Sequence, residues 1–485
     1  MCIRKKIPAI FSDCLDKNSI LVEEEKLRPY ECDAYTAYRS LPLAVFLPET
    51  REQVIRIINR CREKHIPSVT RGAGTGVSGG AHPIEAGILL NLSRLNKIQE
   101  INPQLQYARV EPGVRNLAIS EAAAEFGLYY APDPSSQIAC TIGGNIAENS
   151  GGVHCLKYGL TVHNILEITF ATIDGEIITV GSECYDNFGY DIMALLNGSE
   201  GLLGIVLHTM GRLLPFPYLK EFILAALKNV DDYGHAVAAI IANGIIPAGL
   251  EMMDKAIIQA TENFCHPGYP DHAEAILLCE LDGYEDALIN EVDKVSHECR
   301  QANAILVTRA ENPTQQELFW KGRKAAFPAI GQLSNDYLCM DGTIPRKHLA
   351  YVLAEIARLS KEIGLDVANV FHAGDGNLHP LIMYDLNAEG ELARAEQLGG
   401  KILELCVQVG GTITGEHGVG IEKLNQMCVQ FDSGELNQFE RLKQAFDSGA
   451  LLNPGKAIPT LQRCAEFGAM HVHQGKLPHQ DLPRF

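Results

Sequence analysis

The sequence predicts an α+β chain of two or three domains, and three observations predict it. At 485 residues the chain is too long for one ordinary hydrophobic core. An apolar fraction of 46% beside 21% charged residues marks a globular protein. Short apolar runs closed by glycine or proline alternate with amphipathic stretches, the pattern of strands mixed with helices.

The elements follow in order. "LAVFLP" (43–48) reads as a buried strand. Thr50 and Gln53 then form a capping-box signature, and Val54, Ile57, Ile58 and Cys61 mark one helical face. "IPSVT" (66–70) is a second strand, so the first unit reads as βαβ. The glycine run "TRGAGTGVSGGAHP" (70–83) comes next and contains a literal GxGxxG at Gly74, Gly76 and Gly79. A dinucleotide fingerprint needs a helix after those glycines, so that pyrophosphate sits on its N-terminus. Here they lead through His82-Pro83 into a third strand, "GILLNL" (87–92), which argues against a nicotinamide-binding turn.

A helix over 116–126 should end at Gly127, followed by a long polar loop over 129–152. "NILEITFATIDGEIITVG" reads as two strands joined by a hairpin turn at Asp174-Gly175. A further glycine turn, "NGSEGLLG", enters an apolar strand, and "LPFPYLK" marks a domain boundary. Beyond it, strands such as "EAILLCEL" alternate with helices such as 346–363, and the tail with "LLNPGK" returns to the first domain. The boundaries are an N-terminal extension 1–38, a first domain 39–217, a second domain 218–445 and a C-terminal segment 446–485.

Composition excludes some functions. The net charge is −19 with no basic stripe, which argues against nucleic acid as a partner. Fourteen cysteines form no CxxC, so neither an iron–sulfur cluster nor a zinc knuckle is expected. "MCIRKKIPAIFSDCLDK" lacks the apolar core of a signal peptide, and "AVAAIIANGIIPAGLEMM" is too interrupted to span a bilayer. A cytoplasmic protein with reduced thiols is expected, with contact to the inner face of the plasma membrane only through a partner. The terminal "HVHQGKLPH" reads as a solvated tail.

Two strips have the chemistry to hold a large nucleotide. Successive amides of "RGAGTGVSGG" can form a concave anion nest, for which glycines permit positive φ and close approach. The strip from Pro132 through Ser135 and Thr141 to Asn145 offers hydroxyls and amides. The bland alternative is a set of tight turns in a β-rich domain. Further on, "VANVFHAGDGNLHPLIMY" folds as a hairpin that brings His372 and His379 together. In "TITGEHGVG" a strand ends at Glu416-His417. Two histidines and a carboxylate make the ligand set of a catalytic zinc, although other divalent metals use it and Glu416-His417 also suits a turn hydrogen-bond pair.

The runs "PSVTRGAGTGVSGG", "APDPSSQIACTIGGN" and "GSEGLLG" resemble the FAD-binding domain of the vanillyl-alcohol-oxidase/PCMH flavoproteins. "VFHAGDGNLHP", "GEHGVG", "CMDGTIPR", "LLNPGK" and the tail "RCAEFGAMHVH" match its D-2-hydroxyacid dehydrogenase branch, and the likeness runs from about Leu27 to the end. The resemblance implies a PCMH-type FAD-binding domain of two α+β subdomains, an α+β substrate (cap) domain and a returning C-terminal segment. It places Arg71, Gly72, Ala73, Gly74, Thr75, Gly76, Ser78 and Gly79 at the pyrophosphate. Pro132, Ser135, Thr141, Gly143, Gly144 and Asn145 would line the ribityl chain and ring, with Gly201 and Ile205 toward the adenine and Asn453 also against the cofactor. Arg71 reads equally well as a structural ion-pair residue. Thr75 stands where relatives with covalent flavin carry histidine, so the FAD should be dissociable.

The same resemblance implies His372, His379 and Glu416 as ligands of a divalent metal, zinc first, with His417 as base. A metal on the hydroxyl oxygen favours alkoxide character, a histidine accepts the proton near neutral pH, and the flavin takes the hydride. Arg323 in "FWKGRKAAFP" matches the arginine that binds the substrate carboxylate; by spacing alone it reads as an exposed helix charge. Cys339 and Leu381 stand where the 2-hydroxyglutarate enzymes have a lysine and an asparagine. A second buried carboxylate would lack partners there, which favours a short D-2-hydroxy acid, glycolate first and D-lactate second. With no cluster or haem motif of its own, the chain should hand its electrons outward; the resemblance implies a second flavin-type subunit and an iron–sulfur subunit as partners, in preference to oxygen as the direct acceptor. The rival readings are a stand-alone D-lactate or D-2-hydroxyglutarate dehydrogenase, a nicotinamide dehydrogenase, and a non-redox metal-binding regulatory subunit.

Overall fold

A computed structural model describes residues 4–184 and 189–459. The terminal motifs "RCAEFGAMHVH" and "HVHQGKLPH" lie outside the described residues. The chain forms two compact units, and the first takes the described residues up to Ser150, Leu160–Pro215 and those from Glu416 onward. The second takes Gly151–Gly159 and Phe216–Gly415. These units group the chain differently from the sequence boundaries, and the residues before 39 fall within the first unit. The chain re-enters the first unit at Glu416 rather than at 446, and a nine-residue insert at Gly151–Gly159 belongs to the second.

The first unit opens with β1 (Ile20–Leu21), β2 (Ala44–Phe46), α1 (Arg51–Lys64), β3 (Ser68–Arg71) and β4 (Ile88–Asn91). Thr50 and Gln53 close the expected capping box, and Val54, Ile57, Ile58 and Cys61 are buried on one face. The sheet order is β1-β2-β4-β3, with β4 parallel to both neighbours. The connection from β3 to the parallel β4 contains no helix.

A second sheet in this unit has the order β5-β6-β9-β7-β8, from β5 (Ile98–Asn102), β6 (Tyr107–Val110), β7 (Ile165–Ala171), β8 (Ile177–Gly181) and β9 (Ile205–Arg212). Its β7–β8 hairpin turns at Gly175, φ +79°, where a left-handed residue is required. α2 (Asn116–Ala123) and α3 (Ile142–Glu148) contribute Ile119, Ile142 and Ile146 to the core on this sheet. α3 corrects the sequence reading of 129–152 as loop throughout. Thr141 caps it by accepting from the Gly144 amide, and the paired glycines of its first turn hide the helical pattern.

The second unit is built on one antiparallel sheet, order β13-β10-β12-β11-β15-β16-β14. Its strands are β10 (Leu219–Leu227), β11 (Gly249–Asp254), β12 (Ala275–Gly283), β13 (Leu306–Arg309), β14 (Asp336–Cys339), β15 (Val367–His372) and β16 (Pro380–Tyr384). α4 (Pro313–Lys324) and α5 (Leu349–Ile363) are among its helices. No helix among the described residues is long and apolar enough to cross a membrane.

Candidate functional sites

In the first unit, β3 ends at Arg71 and the chain turns through the glycine run. Among the described residues, no backbone amide from 72 to 80 donates a hydrogen bond. Gly74 and Gly79 have φ of +73° and +81°, so the run curves as an anion nest does. A Cβ on Gly72 would fall 2.1 Å from Thr141 Oγ1, which seats the run on the start of α3. These open amides and close approaches fit a bound FAD pyrophosphate.

Several side chains assigned to that cofactor have other work. Arg71 donates to the Cys32 carbonyl at 2.6 Å and folds over Gly74, and it forms no ion pair among the described residues. The Cys32 carbonyl, not a carboxylate, is thus the partner found for the structural reading of Arg71. Ser78 donates to the His417 carbonyl at 2.8 Å. The amides of Gly143 and Gly144 go to Pro112 O and Thr141 Oγ1. Asn145 Oδ1 and the Pro132 carbonyl both accept from Asn116 Nδ2 at 3.0 Å, while Ser135 is exposed. The Ile205 side chain lies in the apolar core on β9. The strip 132–145 is therefore tied largely to Pro112 and Asn116 beside it, and the open donors are those of the glycine run.

Asn453 does join the cradle. Its Nδ2 donates to the carbonyls of Gly80 (3.0 Å) and Glu200 (2.6 Å), tying the two glycine turns together beside Gly201, whose φ is +70°. The loop with Glu416 and His417 lies against the same turn. Ile421 and Glu422 donate their amides to Ser78 O, and the Glu200 carboxylate accepts from Val419 and Gly420 at 2.7 Å each. This loop is irregular, not the expected strand end, because its backbone bonds to turns instead of a sheet edge. His417 Nε2 stands 3.6 Å from Glu416 Oε1. Glu148 completes the setting: burial, then the neighbouring Glu200 charge, push its carboxyl well above the ordinary range.

In the second unit, β15 and β16 form the expected hairpin, with Gly376 at φ +83° in its turn. The His372 and His379 rings lie 5.1 Å apart at 83°, and both residues are buried. Glu251 on β11 is the register partner of His372 across the sheet. Its carboxylate meets His372 Nδ1 at 2.8 Å and accepts from Arg323 Nε at 2.8 Å, with Nη2 at 2.6 Å. Burial alone would raise this carboxyl, but His372 and Arg323 bring it below the ordinary value. Arg323, at the end of α4, is 2% exposed, so it is not a surface helix charge. Its Nη1 makes no hydrogen bond among the described residues.

Asp341 Oδ1 stands 3.6 Å from His379 Nε2 and accepts from Asn377 at 2.9 Å. Its Oδ2 accepts from Thr414 Oγ1 at 2.5 Å and from the Gly415 amide at 3.1 Å. Glu416 and His417 follow Gly415 directly in the chain. Two imidazoles, each beside a buried carboxylate, are a donor set suited to a divalent metal. Cys339 and Leu381, singled out separately in the sequence, are cross-strand partners on β14 and β16 within one apolar cluster.

Sequence reading missed Glu251, Asp341, Glu200 and Glu148. Glu251 left a signal: one acid within the otherwise apolar "GLEMM" of a buried strand demands a buried cationic or hydrogen-bonding partner.

Comparison with known proteins agrees with this architecture. Residues 42–181 match the family model "FAD binding domain", and residues 217–457 match "FAD linked oxidases, C-terminal domain". The chain is 57% identical over 485 residues to glycolate oxidase subunit GlcD of Escherichia coli K12, covering 100% of this chain and 96% of that protein. It is 37% identical over 428 residues to the GlcD of Bacillus subtilis, covering 88% and 91%. Its fold is that of p-cresol methylhydroxylase, with TM-score 0.81 at 18% identity, covering 94% of this chain and 97% of that one. With both family models matched in sequence along the chain and a full-length relative at 57% identity, the chain belongs to the FAD-linked oxidase family.

Proposed function

We propose that this protein oxidises a short D-2-hydroxy acid, glycolate before D-lactate, with non-covalent FAD as the hydride acceptor. The observation that carries the reading is 57% identity, along the whole chain, to a glycolate oxidase subunit. When bound, FAD supplies hydride acceptance and a divalent metal supplies Lewis acidity.

The chain's own residues do the rest. The open amides of the run 72–80 hold pyrophosphate charge. His417 takes the hydroxyl proton, a task suited to an imidazole near neutral pH. Arg323 orients the carboxylate through Nη1, its other nitrogens being held by Glu251. His372, His379 and Glu416 are the metal ligands, with zinc the first candidate. The apolar Cys339–Leu381 pair supports a substrate with one carboxylate, since a second would be desolvated without a partner. We propose further that the protein works as a subunit, passing electrons to a second flavin-type subunit and an iron–sulfur subunit near the inner membrane face. The absence of any CxxC in its sequence supports an external acceptor.

The test is optical. Purified protein should be yellow, should lose its pigment to acid, and should bleach when glycolate is added without oxygen. A protein that stays colourless after flavin supplementation, or bleaches with D-2-hydroxyglutarate and not with glycolate, defeats the reading.

A further inference from the structure

We propose that Glu251 is a positioning residue for the metal: it holds the His372 imidazole in the tautomer protonated at Nδ1, which leaves Nε2 as the metal-binding nitrogen. This extends the metal reading above, on which it rests, to a residue outside the ligand set.

The geometry is set by the sheet. Glu251 and His372 are direct partners on antiparallel β11 and β15, so their side chains emerge on one face. Nδ1 lies 2.8 and 3.0 Å from the two carboxylate oxygens. An ionised carboxylate only accepts, so Nδ1 donates, and a neutral imidazole protonated there carries its lone pair on Nε2.

Arg323 keeps the carboxylate in that state and aim. Its Nε donates at 2.8 Å and its Nη2 stands at 2.6 Å, with both side chains at most 2% exposed. Guanidinium stays charged at any working pH, and both contacts fall on one oxygen, Oε2, so it anchors that oxygen and leaves Oε1 directed at Nδ1.

The experiment uses the full chain loaded with FAD and measures Zn²⁺ affinity by competition with a chelating dye. Glu251→Gln should lower that affinity about 10- to 100-fold, with FAD content unchanged, and Glu251→Asp should restore part of it. Should Glu251→Gln fail to fold, long-range ¹H–¹⁵N spectra of metal-stripped, ¹⁵N-histidine-labelled native protein read the tautomer directly. His372 is assigned there by the signal missing in His372→Gln. The proton is expected on Nδ1. Unchanged Zn²⁺ affinity in Glu251→Gln, or a His372 proton on Nε2, overturns the proposal while leaving the metal reading intact. A native protein that takes up no Zn²⁺ overturns the metal reading, and the metal-positioning role of Glu251 with it.

Discussion

A methyl group on Gly74 would fall 2.2 Å from the Arg71 guanidinium, on a backbone with φ +73°. Gly74→Ala should therefore cost about 1–2 kcal/mol from the left-handed conformation alone, with a further loss where Arg71 must move. Thermal melting and flavin retention on a desalting column measure it, and a stable variant with full flavin content would refute the bracing role. His417→Ala should slow anaerobic bleaching by glycolate about 10²- to 10⁴-fold while the protein stays yellow. If it bleaches at the native rate, another group is the base. At this scale the histidines were legible because two of them flank one glycine turn. Their carboxylates were not, since Glu251 lies 121 residues from His372 and meets it only across the sheet.

Among the elements, α3 and the insert Gly151–Gly159 are where sequence and structure part. Gly143-Gly144 occupies the first turn of α3, where the low helix propensity of glycine masks the Thr141 cap. The insert is held in the second unit by side chains on β12: Lys157 and Tyr158 bond Asp282, and His154 stands 3.2 Å from Glu280. Glu280 also accepts from Lys220 and Trp320 at 2.7 Å. Burial works against its charge, but His154, Lys220 and their hydrogen bonds hold the carboxyl down at about 2 from a usual 4.5. The folded value is the lower one, so its stabilisation is present above pH 4.5 and fades as pH falls toward 2. Its size is about 3 kcal/mol as an order of magnitude. Glu280→Gln should melt below the native protein at pH 7, with the gap narrowing toward pH 3; a constant gap would show that the carboxylate charge is not what holds the insert.

For the whole molecule, metal and flavin should separate experimentally. Dialysis against a strong chelator should abolish glycolate oxidation without removing the yellow colour, and added Zn²⁺ should restore it. Full activity in metal-free protein would remove the metal from the mechanism. Local sequence was enough for the mixed architecture, the helix-free glycine turn and the hairpin that joins the two histidines. Each depends on local spacing: glycines that allow positive φ, apolar alternation, and turns a few residues long. Tertiary structure alone decided where the units divide and which buried charges neutralise one another. Arg323 finds Glu251, and Glu251 finds His372, through strand order and register. Such long-range pairing depends on the packing of the whole sheet, which no short stretch of sequence specifies.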